Sequence, residues 1–482
     1  MDTKLFINNE DVAATGGATY VRHDPVSNEV ATRAAAATVK DALLAVDAAA
    51  AALPAWSATG PTERRRLLLK AADVMEAHTA DFAAVMAGEV GASAGWAGFN
   101  VHLAAGILRE AASLTTQIQG ETIPTDKPGT LSMTIRQPVG VVLSIAPWNA
   151  PVILATRAIA FPLACGNTVV LKASELSPGT HLLIAKVLSE AGIPKGVLNV
   201  ITNAPADAGD IVGALIAHSA VRRVNFTGST RVGRIIAETA GRHLKPVLLE
   251  LGGKSPLLVL DDADLDEAVN AAIFGAFVYQ GQVCMSTERV IVDEAVADEF
   301  VKKFVARAAA LPVGDPRKGA CVIGPLITQD ASKRLESLIA DAQKEGAKLV
   351  TGGKVDGPFM TATILDHVTP QMRVYDEETF GPMTCVVRAR GLEEAVRLAN
   401  SSAYGLSAAV FGRDVSRALS VAMRIESGSC HVNGATVQDE AQIPFGGTKA
   451  SGYGRFGGRA VIDEFTELRW ITIEATPQHY PF

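Results

Sequence analysis

The chain has 482 residues, a formal net charge of −7, and a composition rich in Ala, Gly and Val but modest in aromatics. That length exceeds one ordinary core, so two or more domains are expected; the acidic balance without a dense Lys/Arg cluster argues against a nucleic-acid surface. No run of about 18 apolar residues argues for a membrane span, and "MDTKLFINNEDV" lacks the regions of a secretory signal, so a cytoplasmic protein is expected.

From residue 39 to 115 the spacing predicts helices: "VKDALLAVDAAAAALPAW", "PTERRRLLLKAADVMEAH" and "TADFAAVMAGEVG" place apolar residues three and four apart. Residues 119 to 138 change character, alternating around "TDKPG" as a hairpin would. From 139 the rhythm is strand, loop, helix: "GVVLSIAPWN", "NTVVLKASE", "GVLNVIT", "RRVNFTGS" and "PVLLELGG" are near-continuous Val/Ile/Leu strands with helices between them. This predicts an α/β fold with a parallel sheet covered on both faces. A second α/β series follows Cys284, and the tail "ELRWITIEATPQHYPF" returns to strand-like alternation. The 119–138 segment and this tail are expected at sheet edges, where a second subunit adds on.

The five cysteines lack a CxxC pair and the nine histidines form no HExxH, so neither a disulfide framework nor a metal site is expected. "NFTGSTRVG" (225–233) ends a strand and opens a helix with Gly228 and Gly233 flanking the helix start. It does not match GxGxxG, and it fits a phosphate loop and ordinary turn glycines equally. "LELGGKS" (249–255) is not a P-loop, because Leu248 stands where the first glycine is required. "DDADLDEA" (261–268) has no sharp-turn glycine for calcium and reads as an acidic helix N-terminus. Cys284, in the polar "GQVC" after an apolar helical run, fits a packed thiol or a nucleophile.

"PWNAP", "LKASE", "FTGSTRVG", "LELGGKSP", "GQVC", "EETFGP" and "PFGGTKASGYGR" stand in the order and spacing of the NAD(P)-dependent aldehyde dehydrogenase superfamily, from about residue 144 to 455. Within it, "RQPVG", "LACGNTVVLKASE", "YDEETFGP" and "AVIDEFTELRWITIE" resemble the salicylaldehyde and vanillin dehydrogenase branch. The resemblance implies a Rossmann-like cofactor domain (1–118 and 139–250), a catalytic domain (251–455) and a small β oligomerisation element (119–138 and 456–482), assembled as a homodimer or a tetramer.

By the same resemblance Cys284 is the nucleophile, Asn149 with the Cys284 N–H the oxyanion site, and Glu250 the base that activates water. The residues alone leave rivals: Glu250 also suits a buried ion pair, and Asn149 a helix cap. Ile145, Trp148, Lys172, Glu175, Phe226, Gly228, Ser229, Gly252, Glu378 and Phe380 match the cofactor site; a bare loop acid and core aromatic also fit the last two. Lys172 and Glu175 match residues at the adenosine ribose, where a carboxylate repels a 2′-phosphate, which predicts NAD over NADP.

Arg157 stands eight residues after Asn149, where many relatives that take aliphatic aldehydes carry an aromatic. Facing the substrate, its donors suit a ring hydroxyl or phenolate; otherwise it pairs with a distant carboxylate. Trp96, Met285 and Phe445 are expected as an apolar wall for a flat ring, although Trp96 equally suits a core. The expected reaction is oxidation of a small aromatic aldehyde to its acid. An aliphatic, betaine or semialdehyde dehydrogenase is the alternative, with a phosphorylating or CoA-acylating relative and a non-catalytic protein behind it.

Overall fold

Five short apolar runs, Val141–Ile145, Thr168–Lys172, Leu198–Ile201, Val221–Thr227 and Val247–Glu250, are buried almost throughout and pair in parallel. A computed structural model provides the coordinates, and it describes residues 1–482. From 141–145 the chain steps through 168–172 to 198–201, then returns to the opposite side of 141–145 with 221–227 and 247–250. Strand order therefore reverses between 141–145 and 221–227, and a ligand crevice is expected beyond the C-terminal strand ends at such a reversal. Short antiparallel strands complete the sheet, Leu5–Ile7 and Glu10–Val12 at one edge and Gly452–Tyr453 at the other.

A second sheet of seven strands holds Ser255–Val259 and Thr287–Asp293 near its middle. Only Leu251 to Lys254 separate the last long parallel strand of the first sheet from Ser255–Val259 of the second. Helices Val39–Ser57, Pro61–Ala77, Thr79–Val90, Ala94–Leu114 and Pro151–Ala164 pack on the first sheet or on each other. Helix Pro151–Ala164 starts on proline, which suits a first helical position, and is buried at every residue. That explains its near-unbroken apolar sequence and makes Arg157 an exception that needs a partner.

Strand Thr130–Pro138 pairs along its full length with Thr466–Glu474. The hairpin expected around "TDKPG" is reduced to a bridge between Thr122 and Met133 with two flanking backbone bonds, because the tail supplies the longer partner. Residues 456–465 lie apart from this ribbon, with Phe456, Val461 and Phe465 buried in the same core as helix Pro151–Ala164. No helix is long and apolar enough to cross a membrane.

Candidate active site

Helix Leu265–Phe277 is capped by Asp264, whose side chain accepts from Asp266 and Glu267 N–H groups. Beyond it the chain turns through Tyr279 (φ 47°, ψ 46°) and Gln280 (φ 54°, ψ 27°), left-handed conformations that cost side-chain-bearing residues about 1–2 kcal/mol each. The surroundings hold them there. Gln280 Nε2 donates to Pro325 O at 3.0 Å and its Oε1 accepts from Gly324 N at 3.0 Å. Gln282 Oε1 accepts from Ile327 N at 3.0 Å, and the Tyr279 ring stacks on Trp96 at 4.5 Å. Only glycine fits at 281, since a Cβ would stand 2.2 Å from Gly381 O. The strained turn delivers Cys284 to the entrance of strand Thr287–Asp293.

Cys284 keeps some exposure, yet it lies deep in the protein, and that burial pushes its thiol well above the ordinary value, with Glu250 beside it adding to the effect. Glu250 ends strand Val247–Glu250, and both carboxylate oxygens are buried without a hydrogen-bond partner. Burial pushes its carboxyl up to about 8, and the neighbouring thiol and Arg157 hold it back. Asn149 Nδ2 donates to Gln282 O at 3.0 Å, so the side chain acts across the turn and does not cap its own helix. Its backbone carbonyl accepts from Trp96 Nε1 at 3.2 Å. The Cys284 N–H donates to no protein acceptor.

Two cavities meet here. A cleft of about 270 Å³ at the strand reversal is lined by Trp148, Gly228, Ser229, Glu250, Gly252, Glu378 and Phe380, among others. A cavity of about 790 Å³ lies on the other side, mainly apolar. Cys284 and Asn149 line both.

Six expected cofactor residues thus line the cleft, namely Trp148, Gly228, Ser229, Gly252, Glu378 and Phe380. Ile145 and Phe226 lie beneath it, paired across the reversing strands, and a Cβ at Gly228 would meet the Phe226 ring at 2.5 Å. Lys172 and Glu175 lie farther along, at the end of strand Thr168–Lys172. The Lys172 Nζ is paired to Glu175, which also accepts from Asn203 Nδ2 at 3.1 Å. Glu378 accepts from Gly253 N at 3.0 Å, and burial raises its carboxyl to about 7. Its loop is fixed from behind by Glu288, which accepts from the Thr379 and Phe380 N–H groups at 2.7 and 3.0 Å and pairs with buried Lys254 at 2.8 Å.

Trp96, Arg157, Met285 and Phe445 all line the larger cavity. Arg157 satisfies both readings at once. Its Nη2 donates to the two Asp439 oxygens at 2.8 and 2.6 Å, its guanidinium lies 4.9 Å from the Phe445 ring centre, and Nη1 is buried without a partner. Burial pushes the Asp439 carboxyl up while Arg157 holds it back. Sequence reasoning missed Asp439, Tyr279, Phe99 and Phe274, which also line this cavity. Nothing local marks them; only an unpaired arginine in an apolar helix signals that some distant acid is needed. No group of three or more His, Cys, Asp or Glu side chains is arranged to hold a metal ion.

A model of the aldehyde dehydrogenase family matches residues 12–471. The chain is 62% identical over 483 residues to salicylaldehyde dehydrogenase of Pseudomonas putida, covering 100% of both chains. It is 59% identical over 481 residues to vanillin dehydrogenase of Pseudomonas fluorescens, again covering 100% of both. Among solved structures, a salicylaldehyde dehydrogenase from Pseudomonas putida G7 complexed with salicylaldehyde matches with a TM-score of 0.98 at 61% identity over 100% of each chain.

Proposed function

The chain belongs to the aldehyde dehydrogenase family, and from that premise we propose that it oxidises an aromatic aldehyde, of the salicylaldehyde, hydroxybenzaldehyde or vanillin kind, to the carboxylic acid with NAD. The observation that carries this reading is that Cys284 and Asn149 stand where a glycine-lined cleft meets an aromatic-walled cavity. The full-length similarity to salicylaldehyde and vanillin dehydrogenases supports it.

A nicotinamide dinucleotide suits the residues of the cleft. Gly252 leaves room that a Cβ would fill, 2.7 Å from the Glu378 carboxylate, and Gly228 does the same over Phe226. Trp148 and Phe380 form an edge-to-face pair with centroids 5.8 Å apart beside that floor. Lys172 is already spent on Glu175, so no free cation awaits a 2′-phosphate there, and the Glu175 carboxylate is an acceptor for a free 2′-hydroxyl. This supports NAD over NADP.

Glu250 is the nearest base for the Cys284 proton, and with its carboxyl raised to about 8 it becomes a proton acceptor as the pH approaches that value. The thiolate sulfur attacks the aldehyde carbon and the carbonyl electron pair moves to oxygen, where Asn149 Nδ2 and the Cys284 N–H donate. Collapse of the oxyanion leaves a thioester on Cys284, and a nicotinamide held in the cleft by Trp148, Gly228, Gly252, Glu378 and Phe380 would supply the hydride acceptor. Glu250 passes the thiol proton to solvent and then takes a proton from water as that water attacks the thioester carbon. The C–S bond breaks, the sulfur recovers that proton from Glu250, and the acid leaves.

The same proposal assigns cofactor binding to residues 1–118 and 139–250 and the nucleophile to 251–455. The ribbon of 130–138 and 466–474 joins subunits in a homodimer, supported by Leu131, Leu468, Trp470 and Ile473, which are large apolar residues exposed on it. NADH formation from salicylaldehyde, vanillin, benzaldehyde, propanal and succinic semialdehyde tests the substrate class. Aromatic aldehydes should lead by about tenfold or more in kcat/KM, the discrimination that a shaped apolar pocket supplies; a lead for propanal or the semialdehyde overturns the reading.

A further inference from the structure

The larger cavity carries three charged side chains, Arg157, Asp439 and Glu440, and neither lysine nor histidine. Arg157 is the more enclosed of the buried pair, with 3% of its side chain exposed against 11% for Asp439. Its charge is answered from within the chain, because both Asp439 oxygens accept from Nη2. The guanidinium face is covered by the Phe445 ring. What the wall offers an incoming molecule is therefore a carboxylate with Glu440 beside it, while the one arginine N–H that no protein atom has claimed lies buried behind it.

We propose that Asp439 is a charge filter: by holding Arg157 in an internal ion pair it admits aldehydes whose ring substituents are neutral and rejects those that carry a carboxylate. This rests on the aromatic-aldehyde reading and deepens it. An anion entering the cavity gives up water for a space with no free cation and two acids, which is costly. A ring hydroxyl meets no such cost, since it can donate to an Asp439 oxygen. The discrimination is thus a repulsive element built against one substrate class. Asp439 also acts as a positioning residue, because its two contacts tether Nη2 of the guanidinium. The same wall turns away aliphatic semialdehydes that end in a carboxylate.

The test compares 4-formylbenzamide with 4-formylbenzoate, nearly equal in shape and different in charge, with benzaldehyde as reference. In the unsubstituted enzyme kcat/KM for the amide should exceed that for the acid by about thirtyfold or more, mostly through KM, as expected for a buried like-charge encounter. Asp439→Asn should shrink that ratio by about tenfold or reverse it, by lowering KM for the acid relative to benzaldehyde. A merely structural Asp439 would move all three substrates together, and that result overturns the proposal. So does an unchanged amide-to-acid ratio in the variant, or equal turnover of the two by the unsubstituted enzyme. Should Asp439→Asn not fold, the unsubstituted enzyme with the two isosteres decides. Absence of NADH from all three substrates would instead sink the aldehyde-oxidation reading, and the filter with it; benzaldehyde turnover with no charge preference sinks the filter alone.

Discussion

The cleft beside Gly228 and Gly252 is walled by strand ends and by backbone that glycine alone leaves open, whereas the cavity beside Trp96 and Phe445 is walled by side chains from widely separated segments. The first follows from topology, since strand order reverses between 141–145 and 221–227 and opens a crevice there. The second follows from packing, since the strained turn at 279–280, helix Pro151–Ala164 and the loop around Asp439 meet only in the folded chain. Backbone-built sites tolerate little change and serve a common ligand. Side-chain-built sites change by single substitutions and carry selectivity.

Cys284 belongs to both spaces, so its loss should have the largest effect. Cys284→Ala is expected to lower aldehyde oxidation on the order of 10⁴-fold, as removal of a covalent nucleophile does. NADH binding measured by fluorescence should persist, because the cleft floor is untouched. Substantial residual turnover would break the idea that the two spaces share one reacting atom.

Glu250 comes next. Glu250→Gln removes the base, and about a 10²–10⁴-fold fall in kcat is expected. In the unsubstituted enzyme the rate should rise as pH passes through about 8, and the variant should lack that limb. Stability carries the opposite sign. Because the folded carboxyl holds its proton up to about 8, it binds a proton that the unfolded chain has already lost, and folding stability falls as pH rises through that window. Glu250→Gln should therefore raise Tm relative to the unsubstituted protein most clearly above pH 8. A constant Tm difference across pH would show that burial does not hold the proton there.

Much of the cleft was legible in sequence because its parts lie in short ordered motifs tied to strand ends: "PWN" follows one strand, "FTGS" another, and "LELGG" joins the two sheets. Parallel strands buried on both faces read as continuous apolar runs, and the alternating α/β rhythm followed from them. The cavity was half legible. Arg157 was conspicuous because every neighbour on its helix is buried and all but Thr156 are uncharged and apolar. Asp439 was invisible, 282 positions away in an unremarkable loop. Tyr279 and Gln280 gave no warning either, since no sequence cue announces two left-handed residues other than glycine. The ribbon was only partly readable, because the partner that wins strand 130–138 is the distant tail rather than the nearby turn.

A change confined to the cleft should separate the two spaces kinetically. Gly252→Ala puts a Cβ 2.7 Å from the Glu378 carboxylate, which is pinned by Gly253 N–H and cannot retreat freely. KM for NAD should rise by about tenfold or more, the cost of an ångström-scale misplacement at a binding clamp. KM for the aldehyde should move far less. Parallel changes in both would mean that the spaces are not independent.

The smallest effect is expected in the cavity and tests what Arg157 offers a ring. Arg157→Leu removes the unclaimed Nη1 donor but also strands Asp439, whose carboxylate would lose its only cation in a mostly buried place. Breaking one partner of such a pair destabilises strongly, by about 3–5 kcal/mol, so the comparison is cleaner with Asp439→Asn combined in the same chain. In that double variant, kcat/KM for salicylaldehyde relative to benzaldehyde should fall about five- to tenfold, the worth of one ordinary hydrogen bond of about 1–1.4 kcal/mol. Benzaldehyde, which has no ring oxygen to make that bond, reports the loss of shape alone. Equal losses for both aldehydes would mean that Arg157 serves as a strut beneath Phe445, and that the ring hydroxyl is read by another group.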